Sequence, residues 1–222
     1  MNHMRTQLAA LAIFAGFATA ASAQTDINID FQGDTVAGGD LVLTEPGTGP
    51  TDDFASDRFD ELSTASFEIQ NIASVGTLTV TATALRDDLN ALSGGLADGS
   101  GGHDQTGEGT SFVFDRDVTI TSIDFGSFTS AGNDEVTLSN GSTVVGTFAE
   151  GDISGSTDFS STNPATMSID VASGDDFEIA YSNGDYLIES IGMNVVPEPG
   201  NYALACGAIA LIWVMHRRRS RR

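Results

Sequence analysis

The stretch "GGHDQTGEG" places His103, Asp104 and Glu108 on a glycine-rich loop, and the strand-like "SFVFDRD" that follows ends in Asp115 and Asp117. Asp115 and Asp117 stand one side-chain period apart, so on a strand both carboxylates face the same way. Calcium takes about six to eight oxygens from carboxylates and carbonyls on flexible loops. Asp104, Glu108, Asp115 and Asp117 are the residues expected to supply them if calcium binds. No D-x-D-x-D-G loop with a glutamate at its twelfth position occurs, so the chain carries no EF-hand.

Other chemistry finds less support. Glycoside hydrolysis needs a pair of carboxylates at a set separation, one of them with a raised pKa, and so acidic a chain offers many pairs without marking one. His103 is the only histidine between the terminal segments, and no G-x-S-x-G elbow accompanies it, so a nucleophilic triad is not expected. On its glycine-rich loop His103 is expected to be solvated. A sugar-binding surface usually presents Trp or Tyr, but Trp213 falls in an apolar run near the end, leaving Tyr181 and Tyr186. The phenylalanines fit core positions, and Phe54 and Phe59 are expected to pin an acidic loop.

The elements that must position these residues are strands. "TLTVTATA" sets Leu78, Val80, Ala82 and Ala84 on one face and threonines on the other. "DVTITSIDF" alternates through Ile120, shifts phase at Ser122 and resumes at Ile123 and Phe125, which predicts a bulge or bend. Nine further segments read the same way: "INIDF", "LVLT", "SFEIQNI", "TSFVF", "EVTLS", "STVVGTF", "TMSIDV", "DFEIAYS" and "YLIESIGMNV". Asn140-Gly141 predicts a hairpin, Ser173-Gly174-Asp175 and Asn183-Gly184-Asp185 predict turns, and the hairpin accounts for Asn140-Gly141-Ser142 without glycosylation. "ALRDDLNALSGGL" has helical spacing at Leu85, Leu89 and Leu92 and predicts a turn or two of helix. "LADGSGGHDQTGEGT" and "TEPGTGPTDDFASD" read as long flexible loops. The expected fold is an all-β antiparallel sandwich, jelly-roll-like, over residues 24–194.

Charge is distributed unevenly. All nine basic residues are arginine; only Arg58, Arg86 and Arg116 lie between the terminal segments, against thirty of the 31 carboxylates, so that region carries 3 − 30 = −27. Such a field repels nucleic acid and anionic lipid. The lone Cys206 falls in the apolar run, so the sandwich has neither disulfides nor a thiolate metal site.

Both ends read as processing signals. Arg5, an apolar stretch from Leu8 to Ala18 and the small-residue site Ala21-Ser22-Ala23 form a secretory leader over residues 1–23, with signal peptidase expected to leave Gln24 first. At the other end Pro197-Glu198-Pro199 precedes an uncharged run from Tyr202 to Met215 and five arginines. A helix of that length reaches only ~21 Å, short of the hydrocarbon core. The prolines hold the triplet extended, and the arginines keep the tail cytoplasmic. The order "VPEPG", short apolar helix, arginine cluster over residues 195–222 resembles the PEP-CTERM sorting signal of secreted Gram-negative proteins. The resemblance implies recognition of Pro197, Glu198 and Pro199 by an exosortase, transient anchoring in the inner membrane, and transfer of the body to the envelope, outer surface or extracellular matrix. The expectation is a non-enzymatic protein associated with exopolysaccharide or biofilm. The alternatives are a carbohydrate-binding module, calcium-dependent or not, and an acidic-residue hydrolase.

Overall fold

The computed structural model describes residues 24–32, 35–43, 63–73, 75–92, 95–98, 103–128, 133–149, 153–154, 157–158 and 165–196. Ala21 and Ala23 of the leader, the triplet Pro197, Glu198 and Pro199 with the run behind it, and Phe54 and Phe59 lie outside the described residues. Gln24 is exposed.

The strands in chain order are β1 (Thr25–Asp30), β2 (Thr35–Ala37), β3 (Asp40–Leu43), β4 (Thr64–Ile72), β5 (Gly76–Ala84), β6 (Leu89–Leu92), β7 (Gly95–Asp98) and β8 (Gly109–Phe114). They continue with β9 (Val118–Gly126), β10 (Glu135–Asn140), β11 (Thr143–Ala149), β12 (Ile153–Ser154), β13 (Thr157–Asp158), β14 (Ala165–Val171), β15 (Asp176–Asn183) and β16 (Leu187–Val195). No helix occurs among the described residues. One sheet runs β14-β9-β16-β1-β2, with β7 on β16 and β6 on β7; the other runs β11-β10-β15-β8-β5-β4-β3. Both are antiparallel, and β12 pairs only with β13.

Side-chain alternation builds the core. Leu78, Val80, Ala82 and Ala84 of β5 all point inward and are buried. The threonines opposite them pair across the outer face, Thr64 with Thr83 at 3.2 Å and Ser66 with Thr81 at 2.9 Å. From the other sheet Ile120, Ile123, Phe125, Ile188 and Ile191 meet Phe67, Phe112, Phe114 and Phe177 in one hydrophobic core. Each such side chain contributes about 1.5–3 kcal/mol when fully buried.

The phase shift in β9 is a bulge. Ile120 pairs with Met193 and Ser122 with Gly192, so Thr121 is the extra residue, and inward packing resumes at Ile123. A second bulge leaves Val145 without an opposite number, because Leu138 pairs with Gly146 and Ser139 with Val144. Val144 and Val145 are consequently both exposed on the outermost strand. The β10–β11 hairpin closes with Asn140 opposite Thr143, so its turn residues are Gly141 and Ser142. The Asn140 side-chain amide is engaged, donating to the Asp170 carbonyl at 2.7 Å.

The helix expected across "ALRDDLNALSGGL" is instead the β6–β7 hairpin. Leu89 and Leu96 point into the core, whereas Leu85, on the expected helical face, is exposed. Helical spacing of three leucines is coincidental here: β7 is buried at all four of its positions, as no face of a surface helix would be. Gly95 then lets β7 approach β16, since a Cβ there would meet the Ile188 carbonyl oxygen at 2.5 Å.

β16 organises the first of these two seven-stranded sheets. It pairs with β9 along its length, with β1 from Thr25 opposite Val195 to Asp30 opposite Ser190, and with β7 where Leu96 faces Ile188. Just before β16, Tyr186 forms an isolated antiparallel bridge with His103.

Candidate functional site

Polar side chains bury together where β7, the segment 103–109 and the start of β16 converge. Asp98, at the end of β7, is fully buried. Its Oδ2 accepts from the Arg86 and Gly109 amides, both at 3.0 Å, and its Oδ1 accepts from the Asp87 amide at 2.8 Å. One carboxylate thereby fastens the exit of β5 to the entry of β8. Glu108, also buried, folds its own segment into a clamp: Oε2 accepts from the Asp104 amide at 2.7 Å and the Gln105 amide at 2.8 Å. Arg86 closes the outer side, its Nη1 lying 3.8 Å from Glu108 Oε1 and donating to the Thr106 carbonyl at 3.3 Å.

His103 lies at the inner end of this clamp. Its amide donates to the Tyr186 carbonyl at 2.8 Å, and the two rings pack with centroids 5.1 Å apart. Tyr186 in turn meets Phe125 and Phe128 edge-on, with centroids at 5.5 and 5.8 Å. Both His103 and Tyr186 are fully buried, and neither His103 nitrogen nor the Tyr186 hydroxyl has a hydrogen-bond partner among the described residues. The expected solvated histidine is therefore a buried one, and "GGHDQTGEGT" is not a free loop from His103 onward. Flanking glycines suggested exposure, but the bridge to Tyr186 draws the residue beneath the surface.

Titration follows from this burial. The imidazole is pushed down to about 3, because desolvation outweighs the pull of Asp104. Burial also drives the Tyr186 hydroxyl well above its ordinary range, with Tyr181 and Glu108 adding to it. Burial raises Glu108 despite its two amide donors, and the charges of Asp104 and Asp98 push the same way. Asp185 is raised by burial, then by Asp104 and by Asp134, whose Oδ1 accepts its amide at 3.1 Å.

The four carboxylates proposed for calcium are not brought together. Glu108 precedes β8 and Asp115 follows it, and six strand residues separate them by ~20 Å. Asp115 and Asp117 also do not share a strand face, because β8 ends at Phe114 and β9 begins at Val118. Asp115 accepts the Thr79 amide at 2.8 Å, whereas Asp117 accepts the Ser173 amide at 2.9 Å. Among the described residues no three His, Cys, Asp or Glu side chains are placed to hold a metal. None of the four is assigned as a ligand.

Sequence reasoning picked out the clamp's neighbourhood through His103, Asp104 and Glu108 but missed Asp98, Arg86 and Tyr186. It also missed a second carboxylate group, where Asp30 and Asp124 flank Ser190 on adjacent strands. Burial, then those two charges, raises the neighbouring Glu189. Both groups are made by pairings between distant parts of the chain, which local pattern does not reveal. What the clamp does chemically is hold backbone: both Asp98 oxygens and Glu108 Oε2 are occupied by amides, and Glu108 Oε1 faces Arg86. The chain matches no family model, no curated protein and no solved structure.

Proposed function

We propose that this is an exported, non-catalytic envelope or extracellular-matrix protein, released from a transient inner-membrane anchor by an exosortase. The observation that carries the reading is the order Pro197-Glu198-Pro199, uncharged run, five arginines, behind a body whose own leader ends at Ala23. The body fits an extracellular role: a large apolar core without cysteine, and a net charge of 3 − 30 = −27 that disfavours contact with nucleic acid or anionic lipid. Consecutive strands cross between the sheets at β2–β3, β5–β6, β7–β8, β8–β9, β9–β10, β14–β15 and β15–β16, which supports jelly-roll-like connectivity. Association with exopolysaccharide falls to the outer face of the sheet that runs from β11 to β3. There one register line crosses Thr64, Thr83, Ser111, Glu178 and Ser139; Ser111 and Ser139 are buried, leaving Thr64, Thr83 and Glu178 as the groups open to hydrogen-bonding sugars.

The test is deletion of Pro197 to Pro199 in the native host, followed by mass spectrometry of the protein's C-terminus. The wild-type protein is expected to end near the triplet, and the deleted form to remain in the inner membrane with its arginines attached. Identical maturation of the two forms refutes the proposal.

A further inference from the structure

We propose that His103 is an acid-released latch on the segment 103–109: neutral, it seats against Tyr186 and pins that segment to the entry of β16; protonated, it leaves for the carboxylates at the rim. The pocket accepts only the uncharged ring. Its walls are the Tyr186 ring and, behind it, Phe125 and Phe128, and neither imidazole nitrogen finds an acceptor among the described residues. A charge held there is desolvated and unpaired, which is expensive.

The surroundings outside the pocket have the opposite character. Asp104 adjoins the ring on its own segment and acts electrostatically on His103, Glu108 and Asp185. Asp185, on the approach to β16, stands beside Asp134 from the approach to β10. Glu108 has Arg86 on its outer side and feels Asp98 at the end of β7, and Tyr181 of β15 acts on Tyr186. The rim is thus dominated by carboxylates, with Arg86 as the cation, and an imidazolium swung outward exchanges an apolar pocket for negative charge. Opening breaks the His103 amide bond to Tyr186 and the Glu108 clamp that orders Asp104 and Gln105 behind it, and it strains the Arg86 contacts to Thr106 and Glu108.

The sign is fixed by linkage. The released ring titrates at its ordinary 6.5 and the seated ring at about 3. The open form therefore binds the proton, and closure weakens about tenfold for each pH unit below 6.5 until about 3. Glu108 and Asp185 work the other way, because their raised values favour the closed, protonated form as pH falls. The contribution of His103 is isolated by comparison with a variant that cannot titrate there.

Backbone amide exchange on the full-length chain, corrected for intrinsic rates between about pH 7.5 and 4.5, provides that comparison, wild type against His103→Phe. The ratio of wild-type to variant protection at position 103 and at Asp104 and Gln105 is expected to fall roughly 100-fold by about pH 4.5, two units below the free value. Parallel protection in the two proteins overturns the latch. If His103→Phe does not fold, His103→Gln gives the same comparison. The ring resonance of His103, identified by its absence from either variant, supplies an independent reading: titration near 6.5 with undiminished amide protection also overturns the proposal.

Discussion

Tyr186 carries its hydroxyl into the aromatic cluster, where the oxygen has no partner among the described residues. Burying that group without a hydrogen bond costs free energy that a phenylalanine does not incur. Tyr186→Phe is expected to leave stability unchanged or raise it by about 0.5–2 kcal/mol in urea unfolding, whereas a loss of more than about 1 kcal/mol reveals an acceptor for the hydroxyl. The same residue explains why the site was only half legible in sequence. His103, Asp104 and Glu108 were visible as a charged group on glycines, but residue type alone does not distinguish a carboxylate that meets solvent from one that receives backbone amides. Asp98 carried no signal, being an ordinary aspartate at a strand end, and Tyr186 was visible only as one of two tyrosines for a sugar surface, not as the partner of His103.

Among the elements, long strands with one buried face declared themselves by alternation, and β4, β5, β8, β9, β15 and β16 stand where the pattern places them. The bulge at Thr121 was legible for the same reason, since it displaces the alternation by one residue. The short strands β2, β6, β7, β12 and β13 were not, because two to four residues cannot establish a period. Two glycines separate the kinds of constraint that turns impose. Gly141 has φ +55° and open space where a Cβ would stand, so Gly141→Ala bears only the left-handed backbone cost, about 1–2 kcal/mol. Gly95 has φ +133°, and the Ile188 carbonyl stands where a Cβ would go. Gly95→Ala is therefore expected to cost more than about 2 kcal/mol and to loosen the β6–β7 hairpin. Equal midpoints for the two variants in denaturant titration contradict this ordering.

For the molecule as a whole, self-repulsion is the dominant electrostatic fact. Thirty carboxylates against three arginines leave the region between the terminal segments at −27. Of those arginines Arg86 is paired with Glu108, and Arg116 donates through Nε to the Thr77 carbonyl at 2.7 Å; both charges are already counted in that total. Added sodium chloride screens such repulsion over a Debye length that shrinks from ~30 Å at 0.01 M to ~10 Å at 0.1 M. The melting temperature is expected to climb with salt by about 2–4 °C for each kcal/mol of repulsion removed. A melting temperature that is flat or falls between about 10 mM and 0.5 M sodium chloride contradicts the expectation.

The pairing of Thr25 with Val195 puts the body's first and last strands side by side. An early strand must wait for a late one, so the sheet that holds β1 and β16 is completed only when the chain is available as far as Val195. It also brings both exits of the chain to a single pole, and the nine residues of β16 carry His103 and its clamp ~30 Å away to the opposite one.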